Sequence, residues 1–181
     1  GFLWDAALKA GKTVKVYGEY APRLSEAKPQ QRAGYFARWR KGDDFQTDFK
    51  VSSPIPPLDA LLARNYPTYT NGVPDQVRAT IFLKDLQTWT REKKMPHLVI
   101  VQLPSNHTYG ATPSASTPKA MVADNDLALG RIIEGLSRSP FWPKMAIFVV
   151  EDDAQNGVDH VDGHRTVSTV ADLTPRHEGK P

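Results

Sequence analysis

Two uninterrupted apolar runs of strand length, His97 to Leu103 and Met145 to Val150, constrain the fold more than any other feature of the chain. A strand that is apolar at nearly every position expects both of its faces to be covered, as in a parallel sheet packed between helices. Between the runs, a polar, proline-containing loop from Pro104 to Thr117 leads into Lys119 to Ser137. There Val122, Leu129, Ile132, Ile133 and Leu136 recur at helical spacing, behind Pro118 at a first helical position. Thr13 to Tyr17 alternates apolar and polar and predicts a strand, and Arg165 to Val170 predicts another. Asp75 to Lys93 predicts a helix with Val77, Ile81, Phe82, Leu86 and Trp89 inward. Phe2 to Ala10 predicts one ended by Gly11, with Phe2, Leu3, Ala6, Ala7 and Ala10 on one face, and Pro57 to Arg64 a short one. Strands alternating with helices predict an α/β layered fold, in which ligands sit beyond the carboxyl ends of the strands. That rule points to the loops after Leu103 and after Val150.

Composition narrows the classes. At 181 residues, 40% hydrophobic and 24% charged, the chain is expected to form one domain with a real core. No apolar run approaches the roughly 20 residues that span a bilayer. The absence of Cys removes disulfides, thiolate metal sites and a cysteine nucleophile. A net charge of +3 is too small for a nucleic-acid footprint. Arg32, Arg38, Arg40 and Lys41 do surround Tyr35, Phe36 and Trp39, and this cluster is read as a solvated loop with aromatic anchors. It belongs to a long stretch, 18–57, in which Pro22, Pro29, Pro54, Pro56 and Pro57 erase periodicity and predict an irregular insertion. The chain opens on Gly1 inside an expected helix, with no charged-then-apolar leader, as a processed or truncated sequence would.

The segment Glu151 to Arg165 carries the most unusual chemistry: five acidic residues and two histidines within 15 positions. Carboxylates packed this densely raise one another's pKa unless a cation neutralises them, and carboxylate with imidazole is a ligand mix for zinc, manganese or iron. His160 and His164 stand four apart, but Gly157 and Gly163 favour a loop over a helix. The same composition also reads as a solvated acidic turn. An EF-hand calcium spacing with a closing Glu is absent. At the other expected strand end lies Pro104-Ser105-Asn106-His107-Thr108, where His107 reads either as a solvated histidine or as a ligand or general acid facing the acidic segment.

Taken together, these residues resemble the alkaline phosphatase superfamily, in the branch that holds phospholipases C and certain acid phosphatases. Asp152-Asp153, Gly157 and Asp159-His160-Val161 follow the branch's strand-ending acidic pair, turn and Asp-His-Val. Pro104 to His107, the helix Lys119 to Ser137 and Ser139-Pro140-Phe141-Trp142 match its upstream Pro-x-x-His loop, helix and turn. The opening from Leu3-Trp4-Asp5 to Val16-Tyr17-Gly18-Glu19 resembles its helix and strand. The likeness is tight over 97–170 and loose over 18–75.

The resemblance implies a three-layer α/β/α fold with a mostly parallel central sheet, and metal-dependent hydrolysis of a small-molecule phosphate ester or a phospholipid. It implies Asp152, Asp153 and His164 as ligands to a divalent metal (zinc, manganese or calcium), with His164 the looser match. His107 and His160 would contact the phosphate, the metal or the leaving group. By the same analogy the protein is exported, to the periplasm or beyond the cell. The family's nucleophile and early metal ligands lie ahead of where this chain begins, and Ser114, Ser116 and Thr117 lack the elbow that exposes one. The tail 171–181 departs from the family. The expectation is therefore a middle-to-late segment of a catalytic domain with weak or no turnover of its own. Its alternative is a non-catalytic metal-binding or scaffold remnant, and a sheet lacking its first strands could self-associate.

Overall fold

The structure, a computed structural model, describes residues 2–22, 28–152 and 167–172. It is mixed α/β, and its described residues fall into two compact units, one within Gly1–Gly135 and one within Leu136–Pro181.

The first unit is built on β1 (Val14–Tyr17), which pairs in parallel with β2 (Leu98–Val101), Val14 opposite Leu98 and Tyr17 opposite Val101. On the other edge of β1, Val16 donates to the Leu61 carbonyl at 3.0 Å and accepts from Ala63 N–H at 2.8 Å, so the strand is bonded on both sides. That position explains why Val16 and Tyr17 are fully buried. Helix α1 (Leu3–Lys9) covers the strand with Trp4, which joins Val14, Val16, Leu58 and Leu62 in one core cluster. The buried face agrees only in part with that expected: Ala7 packs against this cluster, but Phe2 and Leu3 are more than half exposed and Trp4 is buried. An aromatic ring has more apolar area to hide than the alanines, so it sets the rotation.

Tyr17 faces the other way, edge-on to Tyr66 and to Phe82 of α4 (Asp75–Glu92), at 5.2 and 5.3 Å between ring centres. Its hydroxyl donates to Asp85 at 2.6 Å, and burial with that carboxylate holds its pKa far above the usual phenol range. Val77, Ile81, Phe82 and Leu86 of α4 are buried as the spacing predicted. Helix α5 (Pro118–Ser137) comes close to α4 at Gly135, where an added Cβ would lie 2.5 Å from a Leu83 methyl.

Several expectations are corrected. The stretch 18–57 contains a helix, α2 (Gln31–Arg40), so the basic and aromatic cluster is helical rather than a loop. The short helix α3 is Pro56–Asp59. On α5, Ile132 and Leu136 are buried as the spacing predicted, together with Met121, Asp124 and Ala128, whereas Val122 is exposed.

In the second unit β3 (Ala146–Val150) pairs antiparallel with β4 (Ser168–Asp172), Phe148 opposite Val170. A mostly parallel sheet is therefore not what β3 joins among the described residues. Nor is β3 a buried strand: Phe148 is 71% and Val150 62% exposed. Of the tail from Ala171, residues 171 and 172 end β4, and 173–181 lie outside the described residues.

Candidate functional site

The carboxyl end of β2 runs through Leu103 into a 3-10 turn, Pro104–His107, which carries the first candidate histidine. The turn is tied down from beneath. Ser105 is fully buried; its N–H donates to Asp75 Oδ2 at 3.0 Å and its hydroxyl to Asp124 Oδ2 at 2.8 Å. Asn125 of α5 donates to the Leu103 carbonyl at 2.8 Å and to Asp75 Oδ2 at 2.9 Å. Two buried carboxylates thus fix the turn before it reaches the surface.

Those carboxylates belong to one buried network. Asp124 accepts from Arg32 Nη2 at 2.8 Å, an ion pair with both side chains out of solvent. It also takes the N–H groups of Asp75 and Gln76 at 2.8 and 3.2 Å. These are first-turn amides of α4, which have no intrahelical acceptor, and Pro74 ahead of them offers no capping side chain. Asp124, from a different helix, does the capping, and its charge suits the positive end of α4. Arg78 sits 3.3 Å from Asp75 Oδ1 and donates to the carbonyls of Thr68, Thr70 and Val73, which shapes the loop that carries Tyr69 and Asn71. Burial pushes the Asp75 carboxyl above the usual range, against the pull of Arg78.

At the rim, His107 is exposed and meets Tyr69 edge-on at 5.7 Å between ring centres. Its Nδ1 lies 3.2 Å from the Thr108 carbonyl oxygen and 3.5 Å from Asn71 Nδ2. Asn71 Nδ2 donates to that same carbonyl at 2.8 Å. Thr108 has φ 60° and ψ −179°, a backbone region that only glycine enters freely. Strain of this kind beside a surface histidine is a mark of functional sites rather than of ordinary turns. The face of α2 bearing Arg32, Phe36 and Arg40 borders a groove of about 450 Å³ whose opposite wall includes Ser114 and Ser116.

Asp152 lies just past β3 and is exposed; the preceding residue, Glu151, donates its N–H to the Val167 carbonyl at 3.0 Å. Asp153, His160 and His164 lie outside the described residues. Among the described residues no group of three or more acidic or histidine side chains is gathered to hold a metal ion. The donor types at stake, carboxylate oxygen and imidazole nitrogen, fit a hard or borderline divalent cation and exclude a thiolate-type site.

Of the hydroxyls weighed as nucleophiles, that of Thr117 accepts from the Ala120 N–H at 3.3 Å at the start of α5. The residues that sequence reasoning missed are Tyr69, Asn71, Asp75 and Asp124. Asp124 left one visible signal, a carboxylate among the apolar positions of the best helix. No family model matches the chain, and neither does any curated protein or solved structure.

Proposed function

We propose that the chain is a segment of a metal-dependent phosphoesterase of the phospholipase C and acid phosphatase type, with the three-layer sheet and the exported location that this type implies. One observation supports the reading above the rest: the histidine of the motif, His107, stands just beyond the carboxyl end of β2, a strand of the parallel pair. That is where α/β folds gather ligand-binding side chains. In this reading Asp152, Asp153 and His164 hold a divalent cation. His107 and His160 contact the transferring phosphate, the metal or the leaving group. The cation, when bound, neutralises charge on the phosphoryl oxygens. The chain's own share is orientation: Asp75 and Asp124 hold the turn rigid, so that His107 meets its ligand without reordering.

The test is hydrolysis of a chromogenic phosphate monoester with manganese, zinc or calcium added in turn. Weak turnover is expected, abolished by a chelator and lowered about 100-fold by Asp152→Ala, Asp153→Ala or His107→Ala. Turnover that survives both aspartate substitutions overturns the reading.

A second reading, a metal-binding scaffold without chemistry, is favoured by the use of the Thr117 hydroxyl as an acceptor at the start of α5. Calorimetric metal binding without hydrolysis supports it. Absence of any binding leaves the acidic segment as a solvated turn.

A further inference from the structure

We propose that Asn71 is a positioning residue for His107, holding the Thr108 carbonyl where it takes the His107 Nδ1 proton, so that Nε2 is the ring nitrogen offered to a ligand. The proposal rests on reading His107 as a ligand-facing histidine, and it adds a residue that the motif does not contain.

The two contacts of His107 Nδ1 ask for opposite protonation. The amide nitrogen of Asn71 is a donor and would need a lone pair on Nδ1; the Thr108 carbonyl is an acceptor and needs a proton there. The carbonyl is nearer, at 3.2 Å against 3.5 Å. The Asn71 amide is also already spent on that carbonyl, at 2.8 Å. One assignment satisfies all three groups. Asn71 Nδ2–H and His107 Nδ1–H each take one lone pair of the Thr108 oxygen, leaving Nε2 unprotonated. Turning the Asn71 amide over would set two acceptor oxygens against each other.

The surroundings keep this arrangement in place. Asn71 is 94% buried, and its backbone carbonyl accepts from Arg32 Nη1 at 2.7 Å, which is itself paired with Asp124. Its Oδ1 is buried with no hydrogen-bond partner among the described residues. The amide therefore stays in this orientation although one acceptor is unmet, as expected if the other end is needed. Thr108 is kept in a glycine-type conformation, and that conformation turns its carbonyl back toward the ring. Tyr69, edge-on to the imidazole, limits ring rotation. A backbone carbonyl on Nδ1 is the usual way in which a protein presents Nε2 to a metal or an electrophile.

The experiment reads the tautomer directly. Long-range proton–nitrogen correlation spectra of the whole nitrogen-labelled chain are recorded about two units above the ordinary histidine pKa. His107 is assigned by its loss in His107→Gln. The expected result is a predominant Nδ1–H tautomer in the unsubstituted chain, shifted roughly fivefold toward Nε2–H in Asn71→Leu, the weight of one hydrogen bond. A predominant Nε2–H ring in the unsubstituted chain overturns the proposal, and this measurement stands even if Asn71→Leu fails to fold. A folded Asn71→Leu with an unchanged tautomer also overturns it. If phosphate-ester turnover is present, kcat should fall with the Nδ1–H population while KM stays within about twofold. If turnover is absent while the tautomer is as expected, the phosphoesterase reading fails and the positioning role stands.

Discussion

Asp124 shows how far a single side chain can decide local structure. It neutralises buried Arg32, caps the first turn of α4 and fixes Ser105 below the candidate site. Removing one member of a buried pair strands the other charge. Asp124→Ala is therefore expected to cost about 3–5 kcal/mol in urea unfolding, with part of the loss recovered in the Arg32→Met/Asp124→Leu double variant. Arg38 makes the opposite case. It is clasped by Asp43 and Asp48 and lies over the Phe45 ring at 4.8 Å, yet its side chain is 44% exposed. Arg38→Ala should fall within the spread of ordinary surface substitutions in the same assay; a loss equal to that of Asp124→Ala would refute the distinction. Asp75 adds a pH term. Its carboxyl is raised in the folded state, mainly by burial, so the folded chain holds that proton where the unfolded chain has released it. Its contribution is thus present below the ordinary carboxylate value of about 4 and lost as pH rises through the raised value. Plotted against pH, the stability difference between the unsubstituted chain and Asp75→Asn should fall across that window, and a flat difference would contradict the assignment.

At the scale of elements, the positions where the pattern was readable and those where it was not divide by cause. Helices α4 and α5 were legible because long apolar periodicity survives a few exceptions. The exceptions mattered, though: Asp75, Gln76 and Arg78 are as buried as Val77, and nothing in their residue type announces it. Helix α2 was hidden by surrounding prolines and by charges that look solvated one at a time. Gly18 marks the end of β1 with a requirement of its own. Its φ is 81°, and an added Cβ would lie 2.9 Å from the Pro67 carbonyl oxygen and 3.1 Å from the Tyr66 ring. Gly18→Ala should destabilise by at least roughly 1–2 kcal/mol from the backbone conformation alone, read as a lowered melting temperature. An unchanged melting point would mean that the loop after β1 yields without cost.

Across the whole molecule, protection against unfolding should be uneven. β1 is hydrogen-bonded on both edges and sealed by aromatic rings, whereas among the described residues β3 and β4 form a two-stranded antiparallel pair with apolar side chains exposed. Two strands alone are marginally stable. Hydrogen exchange followed by mass spectrometry should find amides of β1 and α4 among the slowest and those of β3 and β4 exchanging much sooner; equal protection would contradict this division. The sequence by itself determined the α/β class, the main helices and the strand ends that carry His107 and Asp152. Periodicity and apolar runs are local properties, and each needs only its own neighbours to be read. Tertiary structure alone decided that Asp124 caps a helix 49 residues away in sequence, that Arg32 is an interior charge, and that Asn71 reaches Thr108 beside His107. Those are pairings between distant residues, and a polar side chain carries no sign of its partner until the fold brings the two together.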